Sequence, residues 1–143
     1  IIGHTIDFGY KDTLEKIAND NKISSKLRFV DFVKSPMSYM PCFDLIILPT
    51  YEETFGLIVA EAMLMKVPVI GSNAGGVPEI INNNKNGLLF ESKNEDDLLE
   101  KIDSMIENKK TRDMFVTNAY KFSREQYNYN NHFTKLEKII NSI

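Results

Sequence analysis

The chain of 143 residues contains one cysteine, Cys42, and no apolar run long enough to span a membrane. A single cysteine excludes an internal disulfide and a cysteine-rich zinc site, and it favours a reducing, cytoplasmic compartment. We expect Cys42 itself to be a small buried apolar residue. The net charge of −3 gives no electrostatic reason to expect nucleic acid or an anionic membrane as a partner.

Histidine is also scarce, because only His4 and His132 are present. Neither of them belongs to a cluster of carboxylates with metal-ligand spacing, so we predict no metal site and no cofactor. The chain has no signal peptide and begins at Ile1, inside a strand-like segment. We therefore expect it to be part of a longer protein.

Strand-like and helix-like segments alternate along the chain, which predicts an α/β domain with a parallel sheet. The length of 143 residues fits one domain with a sizeable core. The predicted strands cover residues 1–3, 27–30, 44–48, 67–71 and 88–90. The predicted helices cover residues 11–21, 55–65, 77–81, 94–108, 110–125 and 130–141, and Pro36 opens a further short helix.

The stretch from Leu48 to Met63 reads as the end of a strand, a tight turn and a helix. The apolar run that ends at Leu48 suits a strand buried on both faces of a parallel sheet. Thr50 and Thr54 are candidate helix caps, because a hydroxyl can accept the free amide hydrogens of a first turn. The helix is apolar all round except for Glu61, so we expect a buried helix whose lone carboxylate needs hydrogen-bond donors.

Glu53 and Glu61 lie eight positions apart, which is ~12 Å of rise on an ideal helix. The amides of Phe55, Gly56 and Leu57 lie between them, where a helix N-terminus attracts phosphate. An acid, a phosphate cradle and a second acid form a suitable layout for a sugar, a diphosphate and a ribose.

These residues carry a resemblance to a known family. Glu53, Phe55-Gly56-Leu57 and Glu61-Ala62-Met63 resemble the paired-glutamate motif of retaining GT-B glycosyltransferases of group 1 (family 4). The segment 68–81 is similar to the next motif of that family. Two adjacent motifs make the resemblance specific, and it extends more weakly over most of residues 1–143. The chain therefore looks like most of the C-terminal, donor-binding domain.

The resemblance implies a Rossmann-like, doubly wound parallel sheet with C-terminal helices. It also implies that one strand–helix unit, which carries a basic contact to the donor diphosphate, belongs before Ile1. The implied partners are a nucleotide-diphosphate sugar and a missing N-terminal acceptor domain, with any peripheral membrane association made through the missing part. No metal or cofactor is expected, since no Asp-x-Asp pair indicates the metal-dependent type of sugar transferase.

The resemblance also assigns roles to residues. Glu53 would contact the donor-sugar hydroxyls and act as the catalytic residue, although a solvated turn acid is the alternative. Glu61 would bind the ribose hydroxyls, or else pair with a lysine at a helix edge. Main chain near Phe32 to Lys34 would hold the nucleobase, at a sheet edge where α/β sheets bind ligands. The expected substrate-binding residues are Glu53, Thr54, Phe55, Gly56, Leu57, Glu61, Gly3, Val33 and Lys34.

Other positions are open to two readings. Gly75 and Gly76 either border the cleft or serve turn chemistry alone, and Glu79 caps or braces that loop. The aromatic tail of the chain reads as core or as an interface to a missing domain; it consists of Tyr120, Phe122, Tyr127, Tyr129 and Phe133.

The chain departs from the family pattern at three positions. Lys66 stands where a helix-ending glycine is usual, Thr54 replaces a commoner proline or glycine, and Asp31 occupies a frequent glycine position near the base site. Glycine is favoured at a helix end for its left-handed backbone, so we expect strain at Lys66.

We predict a retaining transferase that uses a UDP-sugar or GDP-mannose, in cell-surface polysaccharide or glycolipid synthesis, and that is inactive as this chain alone. The alternatives are a non-catalytic nucleotide-binding or assembly module, and another GT-B enzyme such as a sugar-nucleotide epimerase. The spacing from Glu53 to Glu61, with Phe-Gly between, fits the transferase better than the epimerase.

Overall fold

A computed structural model describes residues 1–3 and 8–128, which fall into two units with the boundary between Pro36 and Met37. The first unit contains helix α1, Phe8–Asp20, and a short 3-10 helix, Ser24–Lys26. Ile2 and Val30 form an isolated parallel bridge, with the Val30 amide 2.8 Å from the Ile1 carbonyl oxygen. The predicted strands at 1–3 and 27–30 are therefore wrong, since only one residue of each pairs, and a pairing of two short segments alone is marginal.

The second unit contains a parallel sheet of three strands in the order β1-β2-β3. The strands are β1, Ile46–Leu48, β2, Val69–Ser72, and β3, Leu88–Phe90. The helices are α2, Leu57–Leu64, α3, Val77–Ile80, α4, Glu95–Glu107, and α5, Lys109–Gln126. Two further 3-10 helices, Pro36–Ser38 and Met40–Cys42, precede the sheet. This architecture confirms the predicted α/β fold with a parallel sheet.

Apolar clusters cover both faces of the sheet. One cluster joins Val69 to buried residues of α2 and α3, including Met63 and Ile80. The other joins Ile70 to Met105 of α4 and Phe115 of α5. All four residues of β2 are consequently buried. The alternation of Val69 and Ile70 between the two clusters is the period-two pattern of a strand.

Strand β1 is less buried than the sequence suggested. Ile46 and Leu48 pack against one cluster and Ile47 against the other, but all three residues are only half-buried. The expectation of a strand buried on both faces is therefore wrong in degree. Among the described residues of the second unit β1 pairs with β2 alone, so one of its edges lacks a strand neighbour.

The two threonine caps predicted for α2 are also wrong. The N-cap is Gly56, with a left-handed φ of 88° and no capping side chain, and the helix begins at Leu57 rather than Phe55. Thr50 Oγ1 instead donates to the Glu52 carbonyl oxygen at 2.7 Å. Thr54 does not cap the helix, because Phe55 and Gly56 separate it from Leu57, the first helical residue.

The other helices follow the predicted segments closely. Side-chain oxygens of Asn94 and Asn108 accept the amides of Asp97 and Thr111, and so cap α4 and α5. The helix predicted over 130–141 lies outside the described residues. No helix in the described part of the chain combines the length and apolar character needed to cross a membrane.

Two single-residue expectations had opposite outcomes. Lys66 ends α2 with a left-handed φ of 59°, as predicted for a position where glycine is usual. The Val67 amide donates to the Ala62 carbonyl oxygen at 2.9 Å, which closes the helix end. Cys42, by contrast, is exposed, so its predicted burial is wrong. It ends a short 3-10 helix of which Met40 is the buried residue.

Candidate functional site

The candidate site lies where the strands of the parallel sheet end. Residues 49–56 follow β1, residues 73–76 follow β2 and residues 91–94 follow β3. Because the three strands are parallel, these loops leave the sheet at the same edge. That edge is where open α/β sheets bind ligands.

The Gly75–Gly76 turn is fastened directly to the backbone of Glu53. The Gly76 amide donates to the Glu53 carbonyl oxygen at 2.8 Å. A Cβ atom on Gly75, whose φ is +54°, would lie 2.1 Å from that same oxygen. A Cβ on Gly76 would lie 2.5 Å from the Thr54 carbonyl oxygen. The two glycines therefore allow the loop 73–76 to pack directly against the backbone of the loop 49–56. This contact fixes the backbone position of Glu53.

Glu53 is half-buried, whereas its neighbour Glu52 is exposed. Its Oε1 accepts the amide hydrogen of Phe55 at 3.3 Å. The side chain therefore turns back over its own loop and does not extend freely into solvent. The Phe55 amide, expected to bind a ligand, has this internal partner in the structure.

The first turn of α2 supplies the other expected donors. Gly56 is buried and adopts the left-handed backbone that precedes the helix, while Leu57 is 66% exposed. The Val59 amide returns to the Gly56 carbonyl oxygen at 2.9 Å. The amides of Leu57 and Ile58 lie in the first turn of α2, where no helical carbonyl three or four residues earlier exists to accept them, so they are the free donors of the helix N-terminus. Thr54, the other predicted contact in this turn, is exposed.

Glu61 is half-buried in the second turn of α2. Within residues 1–3 and 8–128 no amide or side chain is recorded as donating to its carboxylate, and no lysine pairs with it. The alternative of a lysine pair at the helix edge is thus not seen. A partly buried carboxylate without protein donors remains available to accept hydrogen bonds from a ligand.

Three predicted site residues belong to the first unit. Gly3 donates its amide to the Val30 carbonyl oxygen at 3.0 Å, so Gly3 and Val30 meet at the parallel bridge. Val33 is half-buried and Lys34 is exposed. At the third departure from the family pattern, an Asp31 carboxylate oxygen accepts the Phe32 amide at 3.2 Å. His4 lies outside the described residues.

Sequence reasoning missed one contact of this turn. The ring of Tyr127, just after α5, packs edge-to-face on Phe55 with 5.9 Å between ring centroids. Partial burial raises the pKa of the Tyr127 hydroxyl, and the charge of Glu79 raises it further. The aromatic tail had been read as core or as a domain interface, so Tyr127 carries no local signal that would place it beside Phe55.

A second missed residue is Lys93, in the loop that follows β3. Its Nζ lies 5.5 Å from the centroid of the Tyr51 ring. It is the one Lys or Arg in the three loops that end the strands. The sequence signal for Lys93 was its position in the loop after the last predicted strand, at the carboxyl edge of the sheet.

Comparison with known proteins gives the family. The model of the glycosyl transferases group 1 family matches residues 1–122. The chain belongs to this family. It is 30% identical over 123 residues to an uncharacterized glycosyltransferase of Methanocaldococcus jannaschii, which covers 85% of the chain and 32% of that protein. It is 28% identical over 133 residues to the O-antigen biosynthesis glycosyltransferase WclY of Escherichia coli, covering 93% of the chain and 36% of that protein.

Solved structures of this kind share the fold. The crystal structure of Anabaena HepE in complex with UDP-glucose superposes with a TM-score of 0.89 at 21% identity, covering 99% of the chain and 40% of HepE. This likeness confirms the Rossmann-like fold of GT-B glycosyltransferases. The chain spans about a third of the length of the two sequence relatives described above.

Proposed function

We propose that this chain is the donor-binding, C-terminal part of a retaining glycosyltransferase that takes a hexose from a UDP-sugar or GDP-mannose. One observation carries the proposal: the Gly75–Gly76 turn fixes Glu53 at the opening of α2, while Glu61 on that helix has no described partner. The carboxylate of Glu53, whose only described donor is the Phe55 amide, and the unpartnered carboxylate of Glu61 precede and follow the free amides at the start of α2 in the chain. This order suits a ligand with a sugar, a diphosphate and a ribose.

Each part of the site then has a role. Glu53 contacts the hydroxyls of the donor sugar, and Glu61 accepts hydrogen bonds from the ribose hydroxyls. The amides at the start of α2 receive the diphosphate, where the helix dipole favours negative charge. The Phe55 amide can bind the diphosphate only if a ligand hydroxyl takes its place as the hydrogen-bond donor to the Glu53 carboxylate. Gly3, Val33 and Lys34 remain a prediction for the nucleobase side.

The reaction requires little chemistry from side chains. Positioning the donor against an acceptor and stabilising the departing diphosphate both lower the barrier to sugar transfer. We propose that the remaining basic contact and the acceptor site lie in further domains of the intact protein. The absence of a metal or cofactor stays a prediction from the sequence, as does a cytoplasmic location.

The relatives support the finer parts of this proposal. The HepE structure was solved in complex with UDP-glucose, which favours a UDP-sugar as the first donor to test. WclY is named for O-antigen biosynthesis, which favours a role in cell-surface polysaccharide or glycolipid synthesis. The isolated chain should bind nucleotide weakly and transfer no sugar, and detectable transfer by it would contradict this assignment of domains.

A non-catalytic nucleotide-binding module is the second candidate, and Asp31 is the observation that favours it. Asp31 stands at a position where the family often has glycine. Lys66, another departure from the family pattern, does not favour this candidate, because it adopts the left-handed backbone that its position requires.

Calorimetric titration of the intact protein with UDP, GDP and ADP, followed by the matching sugar nucleotide, tests the proposal. Glu53→Gln should weaken binding of the sugar nucleotide and abolish transfer, and Glu61→Gln should weaken binding of the nucleotide itself. Glu52→Gln is the matched control, because Glu52 adjoins Glu53 but is exposed. If the wild-type protein binds none of these nucleotides, the donor-site assignment is refuted.

A further inference from the structure

Tyr127 lies where the end of α5 reaches the turn that carries Glu53. Its amide donates to the Ser123 carbonyl oxygen at 3.0 Å, which places Tyr127 at the C-cap of the helix. Its ring meets Phe55 at an interplanar angle of 80°, with centroids 5.9 Å apart. The Phe122 ring makes a second edge-to-face contact with Tyr127, with centroids 6.3 Å apart and an interplanar angle of 90°.

The three rings connect the core to the candidate site. Phe122 is half-buried and packs against the apolar cluster that contains Met63 and Ile80. Tyr127 extends this packing outward to Phe55, whose own amide holds the carboxylate of Glu53 at 3.3 Å. Edge-to-face contacts fix both the distance and the relative orientation of rings. A displacement of Phe55 would therefore move the group that orients Glu53.

We propose that Tyr127 is a positioning residue for the donor sugar: its ring, braced by Phe122, holds Phe55 so that the carboxylate of Glu53 is oriented before the sugar binds. This inference rests on the proposed function, because it assigns the oriented carboxylate to a sugar. The predicted effect is on binding of the donor sugar alone, since the Phe55 ring orients Glu53 and not Glu61 or the amides of α2.

The positioning of Phe55 requires the ring of Tyr127 but not its hydroxyl. Burial and the nearby Glu79 carboxylate both raise the pKa of the hydroxyl, so the group stays neutral at physiological pH. A phenylalanine at this position keeps the ring contact with Phe55 and removes only the hydroxyl. Tyr127→Phe should therefore behave as the wild-type protein does, whereas Tyr127→Ala should not.

The matched control is Tyr120→Ala. Tyr120 lies on the same helix and is half-buried, but its recorded ring contacts are with Lys66 and Arg124, not with the Phe55 turn. Each substitution removes one tyrosine ring, Tyr120 from α5 itself and Tyr127 from its C-cap. A melting measurement on each variant establishes that it is folded before binding is compared.

The measurement is the ratio of two dissociation constants in the intact protein, that of UDP-glucose divided by that of UDP. GDP-mannose and GDP form the second pair. Tyr127→Ala should raise the ratio by about two- to tenfold, the range that corresponds to the loss of one aromatic pair, while leaving the affinity for the bare nucleotide unchanged. Tyr127→Phe and Tyr120→Ala should leave the ratio unchanged.

The two failures are distinguishable. If the wild-type protein binds neither UDP nor GDP nor their sugar forms, the proposed function is refuted, and this inference with it. If the wild-type protein binds them but Tyr127→Ala leaves the ratio unaltered, or weakens nucleotide and sugar nucleotide equally, then Tyr127 is only structural. In that case the inference is overturned and the proposed function stands.

Discussion

Substituting Gly75 by alanine tests how the site is held. The added Cβ would lie 2.1 Å from the Glu53 carbonyl oxygen and 2.9 Å from the Glu53 amide nitrogen, and neither backbone atom can yield as a flexible side chain would. The two loops must therefore separate. We expect Gly75→Ala to disturb the position of Glu53 and the stability of the fold together.

The size of the effect follows from two losses. A φ of +54° costs a residue with a side chain about 1–2 kcal/mol relative to glycine. Separation of the loops also breaks the 2.8 Å hydrogen bond from the Gly76 amide to Glu53, worth about 0.5–1.5 kcal/mol. With the steric clash included, the free energy of unfolding should fall by about 2–4 kcal/mol.

Urea unfolding measures this change, and titration with the sugar nucleotide measures its consequence at Glu53. The control is Asn84→Ala, because Asn84 has a similar left-handed φ of 61° in an exposed turn. That variant should lose about 1 kcal/mol or less, since it adds no clash. Equal losses in the two variants, or undiminished donor binding by a folded Gly75→Ala protein, would refute the idea that the Gly75–Gly76 turn holds Glu53 in place.

Three further predictions concern stability. Asn86→Ala should lower the free energy of unfolding in urea by about 1–3 kcal/mol. The reason is that the buried Asn86 side chain donates to the Ile80 carbonyl oxygen at 3.1 Å and accepts the Asn82 amide at 2.8 Å. Asn82→Ala, at an exposed position, should lower it much less. Lys66→Gly should melt no lower than the wild-type protein, since glycine removes the left-handed strain at a φ of 59°; a clear drop in melting temperature would contradict this. The hydrogen bond from Lys101 and the Glu91 amide lower the pKa of Asp97. The stability from Asp97 is therefore present above the ordinary aspartate pKa and is lost as pH falls through the lowered pKa. Asp97→Asn should flatten the decline in the urea midpoint below about pH 4, and an unchanged slope would count against the ion pair.

The sequence predicted much of the fold because the relevant signals are local. Apolar strands alternating with helices predict a parallel α/β sheet, and the structure contains one. The position of Lys66 predicted its left-handed backbone without any knowledge of its neighbours. The paired glutamates and the motif after them predicted the family that the comparison confirmed.

Burial and contacts between loops were harder to predict from the sequence. The sequence could not show that β1 is half-buried, because the burial of a strand depends on how many neighbours it has in the sheet. It placed Cys42 in the core from residue type alone, whereas the exposed end of a 3-10 helix holds it. It assigned a capping role to Thr54, two residues before the N-cap that the turn uses.

The sequence by itself predicted the paired glutamates of the candidate site, because the spacing of Glu53 and Glu61 along one turn and helix is a local property. Only the tertiary structure decided what holds them. Gly75 meets Glu53 across more than twenty intervening positions, and Tyr127 meets Phe55 across more than seventy. The periodicity of a segment encodes its own conformation and buried face, but which distant segment packs against that face is set by the assembly of the whole sheet and its helices.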